Sequence, residues 1–490
     1  MNMGSIVLPE LQSGAAGTTG QMDMSQVADL QKALTMGNSV TDVSTLSGGS
    51  ALRIQSLDRT MMSTIQEHED FALFNELVKS NAGATVDEWT EQSGVGGFLG
   101  GSTNSETGNI AAATGQYNRR VGSVKYLMTR REVSFVATLG NNLAEAESVE
   151  QSNGALQLLT DAEYLSFEGD ASVVPTEFDG IYAQMAAGVA SGQISPDHVI
   201  DMDGASLSDI SAISKAAQTI RGYGNFGKAT HIFVPTSVQT DLDLNLQPAY
   251  RVGLTNVPGG GIEQGAPVVG IRTSFGDIKT KPDVFIPDEL LQRPFEVDFP
   301  AIAAANNFAP AGVVLDATVT SAQSKFTAPR AGNYFYFVAG VNANGQSVGV
   351  LSAQTAVAAG KKVTLTITRS VSAGETGYVV YRSRLNGTNA LTDLRRMSRV
   401  PCAGATTVYT DNCLELPGSV KSYVLNLKAG ANAINWRQLL PMMRFNLYPT
   451  VSATVPWAQL LFGYLRLAKR KQHAVIKNIV PSTANWKPFN

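Results

Sequence analysis

The chain has 490 residues and a formal net charge of −4, and at about 150 residues per domain this length predicts about three domains. The mildly acidic balance argues against a dedicated DNA- or RNA-binding protein, and the lack of any run of 18 apolar residues argues against a membrane span. Residues 1–20 lack the basic and apolar regions of a secretory signal. Only 16% of the residues are charged, which fits a surface covered by copies of itself but is also common in secreted proteins.

The first two segments indicate an arm followed by a helical lead-in. Residues 1–55 have little apolar material for a core, although 26–34 could form a short helix. Residues 56–78 carry apolar side chains at helical spacing, which predicts a helical lead-in that extends to about residue 83.

A glycine-rich hairpin is predicted next, over residues 84–136. Two strand-like runs, 84–89 and 121–136, flank a loop, and eight glycines lie between Ser93 and Ser123. Such a loop cannot order alone, because ordering costs about 1–2 kcal/mol per residue. We therefore expect an extended arm that orders against a neighbouring subunit.

A long helix is predicted from about Asn142 to Phe167. Asn142 and Glu145 have the spacing of a capping box, and apolar residues recur at helical intervals. At 1.5 Å per residue the helix would be about 40 Å long. Gly154 is its weak point and could mark a bend. With the residues around it, this helix forms a predicted spine and peripheral domain over 137–204.

Residues 205–305 predict a mixed α/β domain of the axial type. A helix is expected over 206–221 with Ser206 or Ser208 as its cap, followed by a strand over 231–234, a helix over 236–246 and a loop over 248–267.

The pattern changes to short strands separated by turns from about residue 308 to 425. Strands are expected over 334–341, 363–368 and 378–382, and a turn over 342–345. This spacing predicts a β-sandwich inserted over 306–426. Residues 427–490 again have a mixed, strand-rich pattern, and they are predicted to return to the axial and peripheral domains.

No pattern of residues predicts a catalytic, cofactor or metal site, and the chain is not expected to be an enzyme. The Gly96–Thr103 segment has Gly101 where a phosphate-binding loop needs a lysine, so it is interpreted as a mobile loop tip. The Asp201–Gly204 segment has Ala212 where a calcium loop needs an acid, so it is interpreted as a turn with a helix cap.

The remaining candidate residues are isolated in the sequence. No two of the histidines His68, His198, His231 and His473 lie within four residues of each other. Cys402 and Cys413 are expected to be two unpaired thiols, although adjacent strands could bring them together. The basic Lys469–Lys471 patch could contact nucleic acid phosphates or the acids of a neighbour, or it could be a solvated strand end.

The order of arm, glycine-rich hairpin, long helix, α/β body and C-terminal return resembles the major capsid proteins of tailed bacteriophages, which have the Hong Kong 97-type fold. The resemblance covers about residues 50–305 and 427–490. Within the insertion, residues 334–347 and 377–382 resemble a fibronectin type III or immunoglobulin-like module. The resemblance to capsid proteins is based on the sequence segments Ala84–Trp89, Tyr117–Arg120, Thr129–Ser134, Phe167–Asp170, Glu177–Gly180, Gly222–Gly224 and Val234–Pro235.

The resemblance implies an α+β capsid fold, with an N-terminal arm, an extended β-hairpin loop, a spine helix, and peripheral and axial domains, plus an inserted all-β sandwich. It implies a major capsid protein that self-assembles, as hexamers and pentamers, into the icosahedral head of a tailed phage around double-stranded DNA. Expected partners are a separate scaffolding protein, a portal, a decoration protein and the packaged DNA, contacted without sequence specificity. The expected location is the virion, assembled in the host cytoplasm.

One departure from the family pattern concerns crosslinking. Some members join a loop lysine to a neighbour's asparagine, but the loop from Thr90 to Gly115 contains no lysine, and Lys125 lies back in the strand. A covalent crosslink of that kind is therefore not expected.

Two other functions stay open at this point. One is an encapsulin-like compartment shell, because encapsulin chains resemble the α/β body of this chain, although they usually lack a surface module such as the predicted β-sandwich. A surface adhesin or glycan-binding protein could be built on the β-sandwich, although the long α/β portion argues against it. The contents of an assembled particle would separate a capsid from an encapsulin.

Overall fold

The computed structural model describes residues 70–110, 112–139, 146–250, 268–298, 308–428, 430, 432–449 and 453–489. The predicted helix at 26–34, residues 56–69 of the lead-in, the capping box of the long helix and most of the 248–267 loop lie outside these residues. Within the described residues, no helix is both long and apolar enough to cross a membrane.

The described chain combines helices with several β-sheets, so the predicted α+β class is confirmed. The helices are α1 (Ala72–Glu76), α2 (Phe135–Leu139), α3 (Ala146–Glu168), α4 (Ile181–Ala190), α5 (Ser211–Arg221), α6 (Thr236–Tyr250) and α7 (Phe295–Asp298).

Most strands lie where the alternation of apolar and polar residues predicts them. The strands before residue 310 are β1 (Lys79–Asn81), β2 (Val86–Gly94), β3 (Gln116–Ser123), β4 (Lys125–Ser134), β5 (Val199–Asp201), β6 (His231–Val234), β7 (Gly270–Thr273) and β8 (Gly276–Pro282). The later strands are β9 (Gly312–Asp316), β10 (Gly332–Tyr334), β11 (Tyr336–Asn342), β12 (Gly345–Leu351), β13 (Thr355–Val357), β14 (Val363–Thr368), β15 (Gly377–Ser383), β16 (Leu394–Pro401), β17 (Thr406–Asp411), β18 (Val420–Leu425), β19 (Ile434–Asn446), β20 (Thr454–Leu467) and β21 (Ala474–Ile479).

A six-stranded sheet in the order β5-β21-β18-β6-β8-β7 forms the centre of the α/β body. Its apolar residues pack against α5, and Ile213, Ala217 and Ile220 of that helix are buried. Strand β18 lies inside this sheet, between β6 and β21. The predicted insertion boundary at residue 426 is therefore placed too late, because β18 belongs to the body.

The long helix α3 lies against a four-stranded sheet in the order β1-β19-β20-β4. Leu158, Ala162 and Leu165 of the helix join a core that includes Trp436. The helix runs through Gly154 without interruption. A Cβ at Gly154 would press on the amide end of the Gln459 side chain, which would have to shift.

Three predicted element ends are wrong for identifiable physical reasons. The lead-in helix ends at Glu76 and is followed by β1. Helix α5 begins at Ser211, whose backbone N–H donates to the Asp209 carboxylate at 2.7 Å, so neither Ser206 nor Ser208 is its cap. The predicted strand 121–136 is two strands that separate at Val124, with its last residues in α2.

Residues between β9 and β17 form two facing sheets. One has the order β12-β11-β15-β16 and the other β17-β14-β9, with an apolar core that includes Tyr334, Val338 and Leu365. The two sheets are joined by a buried ion pair in which Arg382 donates to Asp411 at 2.5 Å. Tyr336 donates its hydroxyl to the same carboxylate at 2.8 Å, which further stabilises the buried negative charge.

The sandwich is packed firmly against the body. Val173 and Val174, just after α3, are buried against Phe337 and Tyr381 of the sandwich. Beside them, Arg399 donates both terminal nitrogens to the Glu177 carboxylate at 2.8 and 2.9 Å. This junction has both an apolar centre and an ionic edge.

Candidate assembly interface

The glycine-rich arm is a two-stranded hairpin made of β2 and β3. The strands pair antiparallel from Val86 opposite Ser123 to Gly94 opposite Gln116, with an irregularity after Gln92. The hairpin is thus confirmed, and its first strand extends five residues beyond the predicted end at Trp89. Within the described part of the chain, β2 and β3 pair only with each other.

The base of the arm is fixed by Asp87. Arg437 on β19 donates its Nε and Nη2 atoms to the two Asp87 oxygens, each at 2.8 Å. Tyr464 on β20 donates its hydroxyl to the same carboxylate at 2.6 Å. Burial opposes ionisation of Asp87, but these donors outweigh it and lower the pKa of the carboxyl group.

Two further contacts hold the base against the body. The guanidinium of Arg466 lies 5.7 Å from the centre of the Trp89 ring. Gly122 on β3 lies against the Tyr464 ring so closely that a Cβ there would collide with it. The base is therefore a rigid attachment from which the rest of the hairpin extends.

The tip of the arm exposes large apolar side chains. Val95, Phe98, Leu99 and Ile110 are each more than 80% exposed. Burial of one such side chain stabilises a contact by about 1.5–3 kcal/mol. Burial of all four against another surface would therefore contribute substantially to binding. Four exposed large apolar side chains in one loop make this tip a candidate interaction site.

A second exposed apolar stripe lies on β4 and α2. Tyr126 and Met128 are exposed on β4, and Phe135, Val136 and Leu139 are exposed on α2. Strand β4 is an edge of its four-stranded sheet, and edges are open to pairing with another chain. The subunit thus carries two separate apolar surfaces that another copy could cover.

The glycine-rich Gly96–Thr103 loop forms turns rather than a phosphate cradle. Gly96, Gly97 and Gly100 have positive φ angles, and the hairpin continues beyond them without a helix. The loop turns the arm tip back toward β3.

The Asp201–Gly204 segment is a turn, as the sequence predicts, but its acids serve a structural purpose. Lys325 donates to Asp201 at 2.7 Å, and Arg330 donates to Asp203 at 2.9 Å. Burial raises the pKa of these two carboxyl groups, but the cations and hydrogen bonds outweigh burial and lower it. The acids therefore join the body to the sandwich, and the expected cap of the next helix is not formed there.

Of the four histidines, His68 lies outside the described residues and two of the others meet. Nδ1 of His198 lies 2.8 Å from the backbone oxygen of His473. Complete burial lowers the pKa of His473 to about 3, so this ring is neutral. His231 is buried at the start of β6, and no three potential metal-ligating side chains cluster anywhere in the described part of the chain.

Cys402 and Cys413 are both free thiols, as expected, with Cys413 buried in the sandwich. The basic segment at 469–471 does not simply continue a strand: a short 3-10 helix, Arg470–Gln472, follows β20. Sequence reasoning missed Asp87 and Arg437, which are 350 residues apart. The only local signal was an acid within the predicted strand 84–89.

No established family profile matches the chain, but individual relatives do. It is 24% identical over 469 residues to the major capsid protein of Staphylococcus phage K, covering 92% of this chain and 95% of the relative. It is 23% identical over 464 residues to the putative major capsid protein of Enterococcus phage phiEF24C, covering 91% and 94%.

Solved structures with similar folds are more distant. The capsid of a native GTA particle has a TM-score of 0.43 and 8% identity and covers 89% of this chain and 99% of its own. The capsid of Myoviridae phage XM1 has a TM-score of 0.40 and 8% identity, covering 90% and 99%. The SrpI encapsulin of Synechococcus elongatus has a TM-score of 0.40 and 8% identity, covering 91% and 98%.

Proposed function

We propose that this chain, a homologue of phage major capsid proteins, self-assembles into the icosahedral head of a tailed phage around double-stranded DNA. Two independent lines support the proposal. Relatives named major capsid protein align with more than nine-tenths of the chain, and the hairpin arm has the form of an element that completes its packing on another subunit.

The apolar tip of the arm is the single structural observation that carries the proposal. The tip residues are exposed while the base is fixed by Asp87, Arg437 and Tyr464. A rigid base presents the apolar tip to a neighbour at a defined place, which lowers the entropy lost on binding. The exposed stripe on β4 and α2 is a different surface, so contacts between copies are of the heterologous kind that closes rings.

In the assembled particle the subunits form hexamers and pentamers. A separate scaffolding protein guides assembly, and a portal and a decoration protein complete the head. The particle forms in the host cytoplasm, and the protein's final location is the virion. The inner face meets DNA through phosphates, without sequence specificity.

The sandwich between β9 and β17 is an immunoglobulin-like insertion that lies on the outer face of the shell. Its two-sheet arrangement around one apolar core supports this assignment. From there it stabilises the shell or binds a host surface weakly. Because β18 belongs to the body, an excision that tests this idea should replace residues 312–411 with a short Gly/Ser linker. Such a chain should still form shells if the insertion serves surface binding, and an insertion found inside the shell would contradict the assignment.

The experiment that tests the shell proposal changes the arm tip alone. Replacing Val95, Phe98, Leu99 and Ile110 by serine should leave a folded subunit but reduce particle yield at least tenfold, measured by sedimentation and electron microscopy. As a matched control, Ser102, Thr103, Thr107 and Asn109 are replaced by alanine in the same loop, and particles should form normally.

Two outcomes would count against the proposal. Normal particles from the serine variant would show that the tip is not an assembly contact. Particles that enclose a cargo enzyme instead of DNA would favour an encapsulin-like compartment.

A further inference from the structure

A basic face lies where three surface segments meet: Arg221–Lys228, Asn426–Lys428 and Lys469–Gln472. These segments carry six cations and no acid. Four of the cations are exposed and two are half-buried. The six are Arg221, Lys228, Lys428, Lys469, Arg470 and Lys471.

The side chain of Gln472 holds the three segments together. Its Nε2 donates to the backbone oxygen of Asn225 at 3.3 Å, and its Oε1 accepts from the amide of Asn426 at 2.9 Å. Gly227 lies against the same side chain, since a Cβ there would be 3.0 Å from Gln472. The three segments are therefore contiguous, although the cations that they carry are up to 250 residues apart in sequence.

The charges of the basic face are not neutralised within the subunit. None of the six cations forms an ion pair within the described residues, and Arg470 has only the Gln193 side-chain oxygen, at 3.4 Å. Two carboxylates lie near Arg470, those of Glu91 and Asp179, but both have other partners: Glu91 pairs with Arg120 at 3.1 Å, and Asp179 accepts from the backbone N–H of Ala171 at 3.0 Å. In a chain of net charge −4, such a concentration of unpaired positive charge favours an external polyanion.

The Arg221–Lys228 loop is rigid and presents an aromatic pair. Asn225 donates to the backbone oxygen of Thr219 at 2.8 Å, and Phe226 is held at a φ of +50°, a strained conformation for a bulky residue. The rings of Tyr223 and Phe226 meet edge to face at 5.7 Å, and both are exposed. The Tyr223 hydroxyl is thus available to donate a hydrogen bond to a phosphate.

We propose that this basic face binds the phosphate backbone of double-stranded DNA, without sequence specificity. The inference rests on the proposed function, because it assigns the contact between shell and packaged DNA to particular residues. DNA fits better than an acidic surface of another subunit. A protein interface is built around a buried apolar centre, whereas only two exposed apolar side chains, Tyr223 and Phe226, lie here among six cations.

The test measures binding of a labelled mixed-sequence DNA duplex to the unassembled full-length chain, so that a closed shell cannot hide the face. Affinity is followed between about 50 and about 200 mM salt, where each phosphate contact adds about 0.9 to the slope of log affinity against log salt. Replacing Lys228, Lys428 and Lys469 by glutamine should reduce that slope by about 2.7 and weaken binding more than tenfold at low salt.

The matched control changes three cations outside the basic face, Arg272, Lys362 and Lys487, to glutamine and should leave the slope unchanged. An unaltered chain that fails to bind the duplex at low salt would overturn the inference, as would equal losses in the two triple variants. Lost shell assembly with unchanged DNA binding would instead assign the face to a contact with another subunit and would also overturn it. If the chain binds DNA as predicted but forms no particles, the result would count against the proposed function and not against this inference.

Discussion

Asp87 and Arg437 form a two-pronged ion pair, with both donor–acceptor distances at 2.8 Å. The pair joins the first strand of the arm to the central strand β19. Through it the direction of the arm is determined by the body of the subunit, so its loss should affect both stability and assembly.

Replacing Asp87 by asparagine should lower the free energy of unfolding by about 1–3 kcal/mol, because the half-buried Arg437 guanidinium loses its charged partner. The measurement is chemical denaturation at neutral pH. Since the folded-state pKa of Asp87 is lowered, its contribution is present above the ordinary carboxyl range and is lost as pH falls through the lowered pKa. The difference between the two chains should therefore shrink in acid.

The neighbouring Glu88 provides the control. Glu88 pairs with Arg119 on the exposed side of the hairpin, and surface pairs contribute about 0–1 kcal/mol. Replacing Glu88 by glutamine should change stability little at any pH. Equal effects at the two positions would contradict the assigned role of Asp87.

The local patterns of the sequence predict much of the fold but not the pairings between its distant parts. The long helix was placed to within one residue of its observed end at Glu168, and the strand Val363–Thr368 matches its prediction at both ends. These elements depend on periodicity within a few turns or residues. By contrast, the sheet position of β18 depends on its pairing with β6 and β21, and no local pattern identifies which strands pair with each other.

The same distinction explains what was missed at the candidate interface. The hairpin was visible from its glycines and flanking strands, whereas its anchor requires Asp87 and Arg437 to meet across 350 residues. Likewise, the acids at Asp201 and Asp203 have the composition of an ion-binding turn. Only the folded chain shows that these acids form ion pairs with Lys325 and Arg330.

Replacing Gly122 by alanine should destabilise the base of the arm by about 1–3 kcal/mol, because the added methyl group would press on the buried Tyr464 ring. Thermal unfolding of the purified subunit measures this. Gly83 precedes the arm and has open space around it, so alanine there is the control. A Gly122 variant as stable as the Gly83 variant would show that the ring moves aside without cost.

Glu163 on the spine helix should make stability depend on pH in the opposite direction to Asp87. Its oxygens accept from the backbone N–H groups of Leu73 and Phe74 at 2.6 and 2.8 Å. Burial, and then the nearby Asp283 carboxylate, raise its pKa well above the ordinary value. Its contribution is therefore complete at low pH and is lost as pH rises through the raised pKa.

Replacing Glu163 by glutamine should flatten this loss of stability with rising pH, measured as the thermal midpoint from acid to alkaline pH. The control is Glu150→Gln on the same helix, where the half-exposed carboxylate lies 3.2 Å from Arg131. If the Glu163 variant kept the pH profile of the unaltered chain, the raised pKa would not be linked to folding.

Replacing Arg382 by methionine should destabilise the sandwich by about 3–5 kcal/mol, because the carboxylate of Asp411 would remain buried without its cation. Chemical denaturation followed by far-ultraviolet circular dichroism measures the change. Arg130→Met, at the exposed pair with Glu132, should cost less than about 1 kcal/mol. Similar losses from both substitutions would contradict the bridging role of Arg382.

The central claim is that copies of this chain close into a shell through the arm. The most direct measurement is electron microscopy, with analytical sedimentation, of the full-length chain expressed with and without its candidate scaffolding protein. The account predicts closed, icosahedrally symmetric particles in which each arm tip lies on a neighbouring subunit. A chain that stays monomeric under all these conditions, or particles whose arm tips contact only their own subunit, would contradict it.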